Sequence, residues 1–357
     1  FFNDTATTEI YTLSLHDGSS DLIGIFGDYD VDGASSTALL ARYFLSINQK
    51  VHTYIPDRQK EGYGPSIEGF NSLIHQGTKI IFTVDCGTLS FEPIEFAKNM
   101  NVDVIVLDHH QSDTRLPKAC AIVNPNRYDD TSQLNYLCAA GVCFMFLVAL
   151  NNKLRESDWF KNNGKSEPNL IKYLDLVSLG TVCDVVPLVG LNRAIVKQGL
   201  KVIKKRSNLG LKTLYDLCNI ESSPNTHHLG FVIGPRINAG GRVGKSTHGA
   251  ELLISEDPQK VYQIAIDLDI KVIMTMTHSG STARMISRYR PQGKILALTP
   301  FKITARQLQI VWGIMAIKVK KYDNVDAVPN LCKSVLEEMQ MIESGERFVI
   351  KIGRAHV

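Results

Sequence analysis

The sequence has no cysteine pair at CxxC spacing, and its seven cysteines are scattered and odd in number. That argues against a structural zinc site or a disulfide framework and fits a reducing cytoplasm. No apolar run reaches the roughly 18 residues that span a bilayer. The nearest, Leu137 to Leu150, reads as a buried helix, and no membrane partner is expected. The start shows no basic-then-apolar signal peptide. Charge of one sign is scarce too: a net +3 does not by itself announce a nucleic-acid partner. The one basic stretch, Arg193 to Arg206 with Lys197, Lys201, Lys204 and Lys205, reads at least as well as the solvated face of a helix.

What is present is apolar patterning. With 357 residues and 44% hydrophobic content the chain can build more than one core. From Asp21 onward, strand and helix alternate: DLIGIFG then SSTALLARYFLSI, KVHTYIP then FNSLIHQG, KIIFTVD then PIEFAKNM, and then DVIVLD. This predicts an α/β fold, a mostly parallel sheet with helices on both faces, with chemistry beyond the carboxyl ends of the strands. From Leu137 to Leu217 the chain turns mainly helical, with ESDWFKNNGKSEPN as a loop. Near Asp269 the pattern breaks and a second alternation of strands and helices begins, which predicts a smaller α/β domain over 270–350. The first twenty residues do not share the alternation that starts at Asp21; Glu9 to Leu15 would at most add an edge strand.

The carboxylates fall where such a sheet concentrates chemistry. Asp28, Asp30 and Asp32 lie in GDYDVDG after the first strand, and Asp85 ends IIFTVD. Asp108, His109 and His110 end VIVLD, and Asp184 comes after the apolar run of SLGTVCD. Each Asp alone reads as a turn or helix cap, and Asp28 as the cap of the next helix. Four strand ends carrying acids, one with a His pair, read as a shared site. Clustered carboxylates repel unless cations neutralise them, and oxygen ligands with an imidazole suit Mn²⁺ or Mg²⁺. Two such ions sharing a carboxylate make a site for in-line attack at phosphorus.

GDYDVDG, VDCG, the DHH triplet and LGTVCDVVPL, in that order, resemble the metal-site motifs of the DHH phosphoesterases. GPRINAGGRVGKS resembles a stretch of that family's RecJ-type exonucleases, and the likeness covers about Leu22 to Asp269. The resemblance implies a two-metal Mn²⁺ or Mg²⁺ site. Asp30 and Asp32 would bind one metal each, Asp85 would bridge, and His109 and Asp184 would complete the ligand set of the second metal. Asp85, Asp108 and His110 would form the catalytic set, and Arg236 and Asn238 would hold the substrate phosphate. It further implies 5′-to-3′ hydrolysis of single-stranded DNA, with a single-strand-binding protein and a helicase as partners. Oligoribonuclease, cyclic-dinucleotide phosphodiesterase and pyrophosphatase activities are the alternatives within the superfamily. Two departures stand out. Phe26 occupies a position where many members carry a His, which would weaken the first metal's hold or leave Asp28 or water to fill the gap as a ligand. The second substrate-binding domain of the RecJ type has no counterpart.

HSGSTARMISRYRP and TARQLQIVWG instead resemble the C-terminal domain of pyruvate kinase, without that enzyme's catalytic barrel. Residues 1–20 and 351–357 resemble translated sequencing-adapter sequence, so the whole chain is expected to be an assembly chimera, weakly active at best or without physiological function. AGGRVGKS, Ala239 to Ser246, fits a relaxed Walker A pattern with Lys245 as its lysine, but no strand leads into it.

Overall fold

The computed structural model describes residues 22–57, 61–240, 246–268, 272–288, 293–321, 327–342 and 348–352. The segment 1–20, the junction at Asp269 and Ile270, and Lys245 lie outside the described residues. The chain divides into two units, Phe1–Ile266 and Asp267–Val357.

In the first unit, β1 (Leu22–Gly27), β2 (Val51–Tyr54), β3 (Thr78–Val84), β4 (Asp103–Leu107) and β5 (Ala121–Val123) form one sheet of order β2-β1-β3-β4-β5. Every pairing is parallel. The crossovers are α1 (Val31–Ser46), α2 (Ile67–His75) and α3 (Phe91–Asn99). Because side chains alternate along a strand, each strand feeds two cores. Phe26, Ile81, Val104 and Val106 pack with Phe70, Leu73, Ile94 and Ala97 of α2 and α3. Phe82 points the other way, its ring 5.3 Å from Phe44 of α1 and 5.6 Å from Phe146 of α4 (Ala139–Glu156). The α/β reading with a parallel sheet therefore holds.

The rest of this unit is helical: α5 (Trp159–Asn162), α6 (Leu174–Cys183), α7 (Gly190–Lys204), α8 (Leu209–Leu217), α9 (Gly234–Gly240), α10 (His248–Ile254) and α11 (Pro258–Asp267). The basic stretch falls largely on α7, where Arg193, Lys197, Lys201 and Lys204 are exposed while Ile195, Val196, Val202 and Ile203 are buried. Among the described residues no helix is long and apolar enough to cross a membrane. All seven cysteines are free.

Several local expectations are corrected. Asp184 does not end a strand: it caps the C-terminus of α6, whose run LDLVSLGT is buried on all sides. A short, wholly apolar run has no periodicity to separate strand from helix. The cap of α1 is Asp30, not Asp28; its side chain accepts from the Gly33 amide at 3.0 Å. The loop 156–169 contains the short helix α5, and the three-residue strand β5 is too short for its pattern to show. Ala239 and Gly240 lie in helix α9, where a Walker A loop would need a strand to lead in.

The second unit is a four-stranded parallel sheet of order β8-β7-β6-β9, from β6 (Val272–Met276), β7 (Lys294–Thr299), β8 (Ile314–Lys318) and β9 (Phe348–Ile352). Val328, Cys332 and Leu336 of α14 (Val328–Glu338) cover one face through Met274, Met276, Leu296 and Leu298. Ala283 of α12 (Ser281–Arg288) and Leu308 of α13 (Lys302–Leu308) cover the other through Ile295, Ala297 and Ile314. β9 runs through Lys351 and Ile352, two residues that the sequence pattern assigns to the tail 351–357, because FVIKI continues a strand paired with β6.

Candidate metal centre

Three neighbouring strands deliver their acids to one edge. Asp28 comes directly after β1, Asp85 after β3 and Asp108 after β4. The turn after β1 is tight: a Cβ on Gly33 would lie 2.4 Å from the Asp28 carbonyl oxygen, so only glycine lets α1 begin against the strand end. Asp85 sits at φ +62°, a left-handed conformation, while its amide donates to the Leu107 carbonyl at 3.0 Å. Val185, immediately after Asp184, is also left-handed at φ +61°, costly for a β-branched residue.

Asp32, buried in the first turn of α1, meets the open N-terminus of α4. Its Oδ2 accepts from the Ala139 amide at 2.6 Å and its Oδ1 from the Ala140 amide at 3.0 Å. Gly180 of α6 makes room for it, since a Cβ there would stand 2.4 Å from Asp32 Oδ1. Asp184 arrives from the end of the same helix. His109 Nε2 then lies 3.2 Å from Asp85 Oδ1, 3.8 Å from Asp184 Oδ2 and 3.9 Å from Asp32 Oδ2.

The electrostatics are those of carboxylates gathered where a cation would neutralise them. Burial, then the charges of Asp184 and Asp30, push Asp32 up to about 8, against the pull of the two helix amides. Burial and the charges of Asp32, Asp30, Asp28 and Asp108 raise Asp85 well above the carboxylate range. Burial and Asp30 bring Asp184 to about 6. Burial, with neighbouring His110, lowers His109, which favours the neutral imidazole that a metal ion needs as ligand. Three sets of donor atoms lie close enough to share an ion: Asp28 with Asp30 and Asp85; Asp32 with His109 and Asp184; and Asp85 with His109 and His110. Carboxylate oxygens and imidazole nitrogen, with no thiolate, fit Mn²⁺ or Mg²⁺.

Residues 22–181 match the DHH family, N-terminal domain. The single-stranded-DNA-specific exonuclease RecJ of Dickeya dadantii is 38% identical over 268 residues, 74% of this chain and 46% of that protein. The first unit carries a DHH-family domain.

A crystal structure of exonuclease RecJ bound to manganese shares its fold with a TM-score of 0.63 at 28% identity, over 83% of this chain and 79% of that one. The chain spans about half the length of the curated exonucleases it matches. Residues 259–356 match the pyruvate kinase alpha/beta domain. Pyruvate kinase of Staphylococcus saprophyticus is 40% identical over 93 residues, 26% of this chain and 16% of that enzyme.

Within the DHH domain Asp108 behaves unlike its neighbours and belongs to none of the three donor sets. It accepts from the Thr88 amide and hydroxyl, the His109 and His110 amides, and His110 Nδ1 at 2.7 Å. Burial pushes it up, but the His110 and Thr88 bonds outweigh that and hold it at about 2. The same bond to Asp108 raises His110, against burial. Phe26 supplies no ligand: it is fully buried, stacked on Tyr54 at 5.3 Å and against Phe70 at 5.6 Å. Asp28 shares a donor set with Asp30 and Asp85.

Arg236 and Asn238 lie on α9, which packs on α1, and Arg236 Nη1 donates to the Val232 carbonyl, 2.9 Å away, in the π-helical turn His228–Ile233 that precedes that helix. Sequence reasoning misses Tyr63, whose hydroxyl donates to the Asp85 carbonyl at 3.1 Å and stands 3.2 Å from His110 Nε2. Its signal is EGYG: Gly62 and Gly64, both at positive φ, flank an aromatic ring that stays 56% exposed beside the acids.

Proposed function

We propose that the first unit is a Mn²⁺- or Mg²⁺-dependent phosphodiester hydrolase of RecJ type that degrades single-stranded DNA from the 5′ end. The observation that carries this reading is His109 Nε2 within 3.9 Å of three carboxylates, beside the Asp28–Asp30–Asp85 set. Asp28, Asp30 and Asp85 would hold one ion and Asp32, His109 and Asp184 the other, with Asp85 Oδ1 3.2 Å from His109 Nε2. Bound there, the ions supply activation of a water and positive charge opposite the phosphoryl oxygens. The protein's own groups do the rest. Asp108 orients His110 through Nδ1, leaving Nε2 to exchange a proton with the phosphate or the leaving oxygen. Arg236 and Asn238 grip the phosphate by charge-assisted bonds.

Two supports favour single-stranded DNA over a dinucleotide or pyrophosphate: the RecJ-like GPRINAGGR segment and the exonuclease relatives. Family resemblance adds a single-strand-binding protein and a helicase as partners in DNA repair and recombination. Activity of this chain is weak and poorly processive on this reading, because a pyruvate-kinase-like segment follows the core where the RecJ type carries its second substrate-binding domain. Asp85→Ala and His109→Ala each abolish Mn²⁺-dependent cleavage of a 5′-labelled single strand, and near-normal activity in either variant refutes the assignment. A substrate panel adding dinucleotides and pyrophosphate distinguishes the other family activities.

We also infer that the two units come from two genes joined near Asp269. The two family matches, to an exonuclease and to a pyruvate kinase, support this. Amplification across the junction from source DNA tests it: a continuous product overturns the inference.

A further inference from the structure

The turn that carries His109 and His110 hangs beyond the end of β4, where its backbone carbonyls have no strand partner. Both are taken up by side chains from one neighbouring segment. Asn124 and Asn126 come directly after β5, the strand beside β4, so Asn-Pro-Asn emerges at the same sheet edge. Asn124 Nδ2 donates to the His110 carbonyl at 2.8 Å, and Asn126 Nδ2 donates to the His109 carbonyl. Asn124 is 3% exposed, and its Oδ1 accepts from the Asn126 amide at 2.8 Å, which settles which end of the side-chain amide is oxygen.

The second proton of Asn124 Nδ2 goes to Thr88 Oγ1 at 2.9 Å. With that lone pair used as acceptor, the Thr88 hydroxyl turns its own proton to Asp108 Oδ2 at 2.7 Å, where the Thr88 amide also donates. Asp108 Oδ1 receives the two histidine amides and His110 Nδ1. A carboxylate so surrounded by donors has only lone pairs to offer, so the proton between it and His110 belongs to Nδ1. Nε2 is then the unprotonated nitrogen, turned to the Tyr63 hydroxyl 3.2 Å away.

We propose that Asn124, Asn126 and Thr88 are positioning residues: Asn126 and Asn124 clamp the His109–His110 backbone, and Asn124 acts through Thr88 and Asp108 to fix His110 as its Nδ1–H tautomer. The consequence for the reaction rests on the nuclease reading above. The clamp sets where His109 Nε2 meets Asp85, Asp32 and Asp184, so its loss weakens metal binding. The relay sets which nitrogen of His110 faces substrate, so its loss lowers turnover. Partners behind metal ligands contribute about 10- to 100-fold in affinity or activity.

The test compares the full chain with Asn126→Ala, Asn124→Ala and the near-isosteric Thr88→Val. Thr88→Val keeps the backbone donor and shape and removes only the hydroxyl, so it remains informative where Asn124→Ala fails to fold. Calorimetric titration with Mn²⁺ alone should show Asn126→Ala binding at least tenfold more weakly. Nitrogen NMR of the metal-free, ¹⁵N-histidine-labelled protein, assigned with His110→Gln, should show one His110 tautomer in the wild type and a mixture in Thr88→Val. At saturating Mn²⁺, kcat on single-stranded DNA should fall at least tenfold in Thr88→Val with KM within twofold. Folded variants with wild-type Mn²⁺ affinity, an unchanged His110 spectrum and unchanged kcat overturn the proposal. Wild type that binds Mn²⁺ but leaves single-stranded DNA intact refutes the nuclease reading, while the titration and spectra still judge the clamp and relay.

Discussion

Without metal, the buried acids of the DHH domain make the protein less stable as pH rises through neutrality. Asp32 is held at about 8 instead of 3.8. Between those values the folded chain keeps a proton that the unfolded chain has released. Stability is therefore fullest below the unfolded value and falls as pH climbs to the folded one. At about 1.36 kcal/mol per pH unit, raising pH from 5 to 7.5 costs on the order of 3 kcal/mol from Asp32 alone. Asp85 moves the same way. Asp108, held at about 2, acts oppositely: its contribution is complete above about 4 and so is constant across this window. For a urea dependence of about 3 kcal/mol per M, the unfolding midpoint drops by about 1 M. The two tryptophans fall one in each unit, so Trp312→Phe leaves buried Trp159 as a reporter of the DHH domain. The expected result is a midpoint lower at pH 7.5 than at pH 5 in EDTA, with Mn²⁺ restoring it. A midpoint that rises with pH in EDTA, or that ignores Mn²⁺, refutes the reasoning.

Two other perturbations act through the packing. Gly180→Ala drives a methyl into Asp32 Oδ1 and to within 2.9 Å of Ala140 Cβ, so it should cost about 1–3 kcal/mol and at least tenfold in Mn²⁺ affinity, read by thermal unfolding and titration. Asp175, buried at the start of α6 and raised by burial to about 6, destabilises the fold above its unfolded value of 3.8; Asp175→Asn should gain up to roughly 3 kcal/mol at pH 7 and nothing below pH 4, and a loss at pH 7 by urea unfolding contradicts this.

The order of strands and helices was legible because each crossover of the sheet carries its own local pattern, apolar run then amphipathic stretch. The acids were legible for a related reason: a parallel sheet brings strand ends together, so Asp28, Asp85 and Asp108 needed no contact information to be grouped. Asp184 comes near Asp32 and His109 from the end of a fully buried helix whose apolar run mimics a strand. Local pattern could not divide the acids by role. Asp32 and Asp85 face other carboxylates, whereas Asp108 is filled by donors from Thr88 and His110, and that difference is set by partners distant in the sequence. Asn124 lies 36 residues from Thr88, and polar pairs at that separation leave no periodic trace. Tyr63 carries a local signal in its two flanking glycines, but its role depends on Asp85 and His110 coming near, which no local pattern shows.

The central claim is that six side chains from β1, α1, β3, β4 and α6 build one two-ion site. The most direct measurement is the number of Mn²⁺ ions bound per chain, counted by electron paramagnetic resonance in the wild type and in Asp85→Ala. Two ions in the wild type and at most one in the variant is the expected result; no binding, or the same count in both, contradicts the account.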